Sequence, residues 1–93
     1  MRTIERTSQF KRDYKRESRG RHCATLESDL VTILTSLVRD VPMEARRRDH
    51  ALSGEWKDHR DCHIKPDLVL IYRLPNPDTL VLVRLGSHSE LGL

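Results

Sequence analysis

The chain of 93 residues lacks the features that mark several large classes of protein. No stretch approaches the ~20 apolar residues that a membrane-spanning helix requires, and the opening MRTIERTSQF has no apolar run of the secretory kind. Its two cysteines, Cys23 and Cys62, form no C-x-x-C motif. A disulfide framework is therefore not expected, and free thiols and a cytoplasmic location are predicted.

Aromatic residues are also scarce, since the chain has one Phe, one Trp and two Tyr. The core must therefore consist mainly of Leu, Ile and Val. Apolar residues make up 37% of the chain, and a division into two domains would leave each part without enough apolar surface to fold. A single domain over residues 1–93 is expected.

Charge, by contrast, is plentiful and unevenly distributed. Residues 1–48 hold 12 Lys and Arg against 7 Asp and Glu, whereas residues 49–93 hold 5 against 7. Arginine outnumbers lysine 13 to 4, and a planar guanidinium can bind a phosphate through two parallel hydrogen bonds. The basic first half thus favours a nucleic-acid partner, with a solvated helix surface as the alternative.

Hydrophobic spacing predicts two helices in the first half, after a short edge strand around Ile4. A charged segment over residues 7–20 begins with Thr7 or Ser8, either of which can cap a helix, and places its two aromatic rings four positions apart, on one helix face. The second helix, over residues 25–39, has leucine and isoleucine at helical spacing. It should end near residue 40, because Pro42 excludes the helical conformation for the residue before it.

The second half changes to the pattern of strands. Residues 67–74 and 79–85 are leucine-rich and β-branched runs, and the intervening Pro-Asn-Pro-Asp predicts the turn of an antiparallel hairpin. The predicted fold class is α/β, in the sense of an α+β domain. Two N-terminal helices pack on one face of a mainly antiparallel sheet of about four strands, and the other face is left as a concave, basic, RNA-binding surface.

Residues suited to proton transfer are concentrated in the same half. Four of the five histidines lie there, namely His50, His59, His63 and His88, and Asp61 and Asp67 lie among them. RNA can be cut without a metal when a base removes the ribose 2′-hydroxyl proton, an acid protonates the leaving 5′-oxygen, and cations stabilise the phosphate. Histidine suits both proton roles, and arginine suits the third.

A metal site is the alternative reading of these residues. His59 and His63 stand four apart, with Asp61 and Cys62 between them. That spacing holds zinc on a helix, whereas Pro66 and the β-branched run after it indicate extended structure, and no second ligand pair appears. No metal and no cofactor are predicted.

The stretch from His50 to Tyr72 carries a more specific signal. It follows the pattern H-x-L-x-G-x-W-x-x-x-R-D-x-H-x-x-P-D-x-x-L-I-Y, and R-x-G-x-H follows at residues 84–88. This pattern resembles the RelE superfamily of bacterial toxins, most closely its YafQ branch. The matching positions are His50, Leu52, Gly54, Trp56, Arg60, Asp61, His63, Pro66, Asp67, Leu70, Ile71, Tyr72, Arg84, Gly86 and His88.

The resemblance implies the toxin of a type II toxin–antitoxin system. The activity it implies is that of an mRNA interferase, an endoribonuclease that inhibits translation by cutting mRNA in the A site of the 70S ribosome. The implied partner is a cognate antitoxin with an N-terminal DNA-binding part and a flexible segment that wraps the toxin. The matching catalytic residues are His50, His63, Asp67 and His88. The residues expected at the substrate are Arg84, Asp61, Trp56 and Arg60.

Within this set, roles can be assigned in part. His88 follows a strand end and is the best candidate for the general acid, whereas the base is Asp67, His50 or His63. Arg84 should hold the scissile phosphate. The alternative from another class is a relative of the same fold that does not cleave, either a gyrase inhibitor as in the ParE branch or an inactive RNA-binding module.

The chain departs from the family pattern at three positions. Ala51 stands in place of a common proline, and Leu68 in place of a common tryptophan. Gly92 occupies the position where relatives usually have a phenylalanine, close to the predicted general acid.

Overall fold

Five strands and three helices make up most of the computed structural model, which describes residues 1–93. In chain order these are β1 (Thr3–Arg6), α1 (Ser8–Glu17), α2 (Leu26–Val38), β2 (His50–Ala51), β3 (Arg60–Lys65), β4 (Leu68–Asn76), β5 (Thr79–Gly86) and α3 (His88–Leu91). Single turns of 3₁₀ helix lie at Ala45–Arg47 and Gly54–Trp56, on either side of β2. None of the helices has the length and apolar character needed to cross a membrane.

The two long helices begin and end close to where the sequence predicts. The hydroxyl of Thr7 accepts a hydrogen bond from the Phe10 N–H at 3.0 Å, which caps α1. This helix ends at Glu17, short of the predicted residue 20, and residues 18–25 form turns. The second helix, α2, ends at Val38, as Pro42 requires.

The sheet has the order β1-β5-β4-β3-β2, in which β1 runs parallel to β5 and the other pairs are antiparallel. It has one strand more than predicted, because β2 has only two residues and lies in a stretch without a strand pattern. The hairpin of β4 and β5 is confirmed. Its turn is shorter than predicted, since β4 continues through Pro75 and Asn76 and only residues 77–78 form the turn.

Both long helices pack on one face of the sheet, as predicted. Their inward faces and one face of the strands form a cluster of buried apolar side chains. The members are Phe10, Leu26, Leu30, Ile33, Leu37, Cys62, Ile64, Leu68, Leu70, Tyr72, Leu80, Leu82 and Leu85. Burial of this many apolar side chains fixes the helices against the sheet and leaves the opposite face available for function.

The opposite face is open only in part. Leu91 of α3 packs on Val69 and Ile71 of β4, and Leu52 and Trp56 lie against the same group. The lack of clean alternation in β4 predicts that this second face is partly covered, and the small apolar cluster on it agrees with that prediction. The polar part of this face, beside β2 and β3, is where the predicted catalytic histidines are found.

Candidate active site

Strand pairing places three of the predicted residues side by side. His50 of β2 is the register partner of Asp61 of β3, and His63 lies two residues further along β3, on the same face of the sheet. His88, the first residue of α3, brings its ring within 5.0 Å of the His63 ring, measured between centroids. His50, Asp61, His63 and His88 are called the histidine cluster below.

Asp61 is the buried centre of this cluster. The residue is 2% exposed, whereas His50 and His88 are exposed. Burial raises the pKa of the Asp61 carboxyl, although the three surrounding histidines act in the opposite direction. A histidine of the cluster that becomes protonated would therefore stabilise the ionised form of the Asp61 carboxyl.

The His50 ring is oriented by the backbone. Its Nδ1 lies 2.6 Å from the carbonyl oxygen of Arg48 and 3.1 Å from Oδ1 of Asp61, and both of these atoms can act as acceptors. The Asp61 oxygen is not aligned for a hydrogen bond, so the contact with Asp61 is electrostatic. Because the Arg48 carbonyl can only accept, Nδ1 is the donor in this contact, and Nε2 is the nitrogen of the neutral tautomer that can accept a proton.

His63 is half-buried, and its environment opposes protonation. Burial and the neighbouring His88 lower the pKa of His63, against the opposing influence of Asp61. A neutral ring is therefore favoured near pH 7, and a neutral ring can take up a proton.

Two open clefts meet at His50 and His88. The first, of about 740 Å³, is called the arginine cleft and is lined by Arg46, Arg48, His50, His63, Pro66 and His88. The second, of about 570 Å³, is called the tryptophan cleft, and Trp56, Leu52, Asp61 and Gly92 are among its lining residues. One cleft thus offers cations beside the histidines, and the other offers an aromatic surface.

Sequence reasoning missed Arg46 and Arg48, which the structure places in the arginine cleft. They flank Arg47, a buried side chain that donates a hydrogen bond to the Ile64 carbonyl at 2.8 Å and so anchors the segment to β3. Arg48 has a φ of 50°, in the left-handed region. The sequence feature that could have revealed these two residues is the run of three arginines that ends two residues before His50.

Comparison with known proteins places the chain in a family. A family model described as "Bacterial toxin of type II toxin-antitoxin system, YafQ" matches residues 2–92. The chain belongs to the YafQ toxin family. The resemblance to the YafQ branch is thereby confirmed.

Individual relatives of the toxin agree over nearly their whole length. An mRNA interferase toxin YafQ from Escherichia coli strain K12 is 34% identical over 90 residues, which are 97% of this chain and 95% of the relative. A metal-bound toxin from Helicobacter pylori is 39% identical, with a TM-score of 0.82 and coverage of 98% and 99%. A chain of the E. coli DinJ–YafQ toxin–antitoxin complex is 36% identical, with a TM-score of 0.80 and coverage of 97% and 96%. In the present toxin, no three His, Cys, Asp or Glu side chains are arranged to hold a metal ion.

Asp67, a predicted catalytic residue, lines neither cleft of this YafQ-family toxin. It follows Pro66 in the β3–β4 turn, and its carboxylate accepts from His22 Nε2 and pairs with Arg21, both at 2.9 Å. Burial would raise the pKa of Asp67, but these two partners lower it. The structure therefore joins Asp67 to the α1–α2 connection and does not bring it into the histidine cluster.

Arg84 is likewise held away from the clefts. Its Nε donates to Oδ2 of Asp13 on α1 at 2.8 Å, and Asp13 is fully buried. A guanidinium that neutralises a buried carboxylate is already committed to a partner. The predicted contact of Arg84 with the scissile phosphate stays a prediction, and in this structure its guanidinium is paired with Asp13.

The two other predicted substrate residues have different surroundings. Trp56 donates from Nε1 to the Leu91 carbonyl at 3.2 Å while still lining the tryptophan cleft.

Arg60 lies in neither cleft, and its Nε contacts Asp49 and the hydroxyl of Tyr72, both at 3.4 Å. The buried Tyr72 also donates to the Asp49 carboxylate. Asp49, which directly precedes His50, is thereby fastened to β3 and β4.

Tyr72→Phe should lower the free energy of unfolding by about 1–2 kcal/mol, because Asp49 then loses a donor at a partly buried position. Urea unfolding measures the loss. Tyr14→Phe is the matched control, since Tyr14 is half-buried on α1 and its hydroxyl makes no hydrogen bond. Equal midpoints for the two variants would show that the Tyr72 hydroxyl does not support β2.

Proposed function

We propose that this toxin is an endoribonuclease that cleaves mRNA held in the A site of the ribosome. The observation that carries the proposal is the convergence of three histidines around one buried carboxylate, beside a cleft lined by two arginines. A binding protein that does not cleave has no need of this arrangement, whereas phosphodiester cleavage needs a base, an acid and cations together. The name of the E. coli relative, an mRNA interferase, supports the same activity.

The base is His50 or His63. The contact of His50 Nδ1 with the Arg48 carbonyl leaves Nε2 as the nitrogen that can act as a base, and the lowered pKa of His63 favours a neutral ring near pH 7. Either nitrogen can remove the proton of a ribose 2′-hydroxyl. The 2′-oxygen then forms a bond to the adjacent phosphorus, and the bond from phosphorus to the 5′-oxygen breaks, which leaves a 2′,3′-cyclic phosphate.

His88 is the proposed acid that protonates the departing 5′-oxygen. It is exposed, lines both clefts and stands directly beside His63. A proton can therefore be accepted on one side of the phosphate and donated on the other. The carboxylate of Asp61 stabilises the imidazolium that each transfer leaves behind.

The phosphate contact is assigned to Arg46 and Arg48. Both line the arginine cleft with the histidines, and a guanidinium suits the charge that develops on a phosphate under attack. Arg84, which sequence reasoning gave this role, is paired with Asp13. Asp67 is proposed to fix the β3–β4 turn beside His63 through its contacts with the α1–α2 connection.

The proposed partners follow from the shape and charge of the site. Both clefts are open, so the ribosome is proposed to hold the mRNA in a reactive geometry that the toxin alone does not impose. A cognate antitoxin with a DNA-binding part and a flexible acidic segment is proposed to cover the basic surface, because positive clefts attract acidic chains. The existence of a DinJ–YafQ toxin–antitoxin complex for an E. coli relative supports an antitoxin partner. The proposed site of action is the cytoplasm.

The deciding experiment is primer extension on an mRNA during translation by purified ribosomes, compared with the same mRNA free of ribosomes. We expect discrete cuts only in the translated message. Equal cleavage of free RNA would overturn the ribosome dependence, and no cleavage of either RNA would overturn the assignment as a nuclease.

Toxin stripped of transition metals by a chelator and then dialysed should retain its cleavage rate.

The non-cleaving alternatives are tested with the same preparation. We expect DNA supercoiling by gyrase to be unaffected at toxin concentrations that stop translation. Inhibited supercoiling with intact mRNA would instead place this toxin with the gyrase poisons. Arrested translation with intact mRNA and normal supercoiling would indicate an inactive RNA-binding module.

A further inference from the structure

The helix that carries His88 cannot be stable alone. It has a single turn, and an isolated turn fixes several dihedral angles for one hydrogen bond. A capping box closes it: Ser87 Oγ accepts from the Glu90 N–H at 3.2 Å, and Glu90 Oε1 accepts from the Ser87 N–H at 2.9 Å. The position of the Glu90 carboxylate therefore defines the turn from which His88 projects.

Arg16 of α1 connects this turn to the rest of the fold. Its Nη2 donates to the Leu85 carbonyl at 2.9 Å and lies 3.6 Å from Oε2 of Glu90. The guanidinium thus spans the end of β5 and the start of α3. Gly86 lies between them, and a Cβ there would come within 3.1 Å of Arg16 Nη2 and 3.3 Å of Glu90 Oε1. The glycine of the R-x-G-x-H pattern therefore leaves the space that this bridge occupies.

Asp13 holds the arginine from the other side. This fully buried carboxylate accepts from Arg16 Nη1 at 3.3 Å, from Arg84 Nε at 2.8 Å and from the Leu85 N–H at 3.0 Å. Asp13 and Arg16 lie one helical turn apart on α1, so the rigid helix fixes their separation. The contacts run without interruption from a buried carboxylate to the cap of α3.

We infer that Arg16, anchored by Asp13, is a positioning residue that keeps His88 facing His63. The inference rests on the proposed role of His88 as the acid. Arg16 acts through Glu90 and the end of β5, and it does not line the clefts of the histidine cluster. A shift of the His88 ring by about 1 Å would impair proton transfer without removing any group that takes part in it.

The test compares Arg16→Gln with Arg12→Gln. Both arginines line one basic surface on α1, so each substitution removes the same charge, but Arg12 contacts only Gln9 of its own helix. We expect Arg16→Gln to lower single-turnover cleavage of ribosome-bound mRNA about 10- to 100-fold relative to Arg12→Gln, with equal ribosome affinity. The imidazole NMR signals of His88 should shift in Arg16→Gln and stay unchanged in Arg12→Gln.

Two further variants keep the outcome decisive. Glu90→Gln retains an acceptor for the Ser87 N–H but loses the charge that faces Arg16, and it should reproduce the His88 shift even if Arg16→Gln folds poorly. His88→Ala tests the proposed function itself. If His88→Ala is inactive while Arg16→Gln and Glu90→Gln match Arg12→Gln, the positioning role is refuted. If His88→Ala cleaves normally, the assignment of the acid fails instead.

Discussion

His63→Ala and His88→Ala should each lower cleavage of ribosome-bound mRNA by about 10²- to 10⁴-fold, the usual cost of losing a positioned acid or base. The ring centroids lie 5.0 Å apart and both rings line the arginine cleft, so each can have a separate part in moving protons to and from one phosphate. Ribosome binding should change little, because neither substitution removes an arginine. Single-turnover primer extension gives the rate, and ribosome pelleting gives the affinity.

His59→Ala is the matched control for both variants. His59 packs edge-on against Trp56, its Nδ1 contacts the Lys57 carbonyl, and it lines neither cleft. Its cleavage rate should stay within about threefold of the unchanged toxin, as for a surface residue outside the reacting groups. Full activity of both His63→Ala and His88→Ala would remove the histidine cluster from the mechanism.

The parts of the fold that the sequence predicts are those governed by local periodicity. The leucine spacing of α2 and the capping residue of α1 depend on neighbours within one or two turns, and both predictions hold. The strand β2 could not be found in this way. It has two residues, and the residue before it, Asp49, is bound by Arg60 and Tyr72, which lie 11 and 23 residues away in the sequence.

The candidate site shows the same division. The motif locates His50, Asp61 and His63 because register across two adjacent strands brings them together. Asp67 and Arg84 belong to the same motif, yet their charges are taken by residues 45 and 71 positions away. A motif gives the identity of a residue, but its partner depends on how distant helices pack, and no local pattern contains that information.

Asp13→Ala should destabilise the toxin by about 3 kcal/mol, the lower end of the cost of breaking a buried ion pair, because Arg84 retains some access to water. The substitution leaves the Arg84 guanidinium without a carboxylate and the buried Leu85 N–H without an acceptor. Urea unfolding at pH 7 measures the loss. Glu27→Ala, at an exposed acid in the first turn of α2, is the control and should cost about 0.3–1 kcal/mol through its helix dipole.

The loss in Asp13→Ala should also depend on pH in a defined direction. Burial alone would raise the pKa of Asp13, but the hydrogen bonds from Arg84 and Leu85 lower it below its ordinary value of 3.8. A carboxyl whose pKa is lowered on folding contributes stability above that ordinary value, and the contribution disappears as the pH falls through the folded-state pKa. The difference between the unchanged toxin and Asp13→Ala should therefore be complete at pH 7 and shrink below about pH 4. A difference that is small at pH 7, or that grows on acidification, would mean that the buried carboxylate is not what fastens β5 to α1.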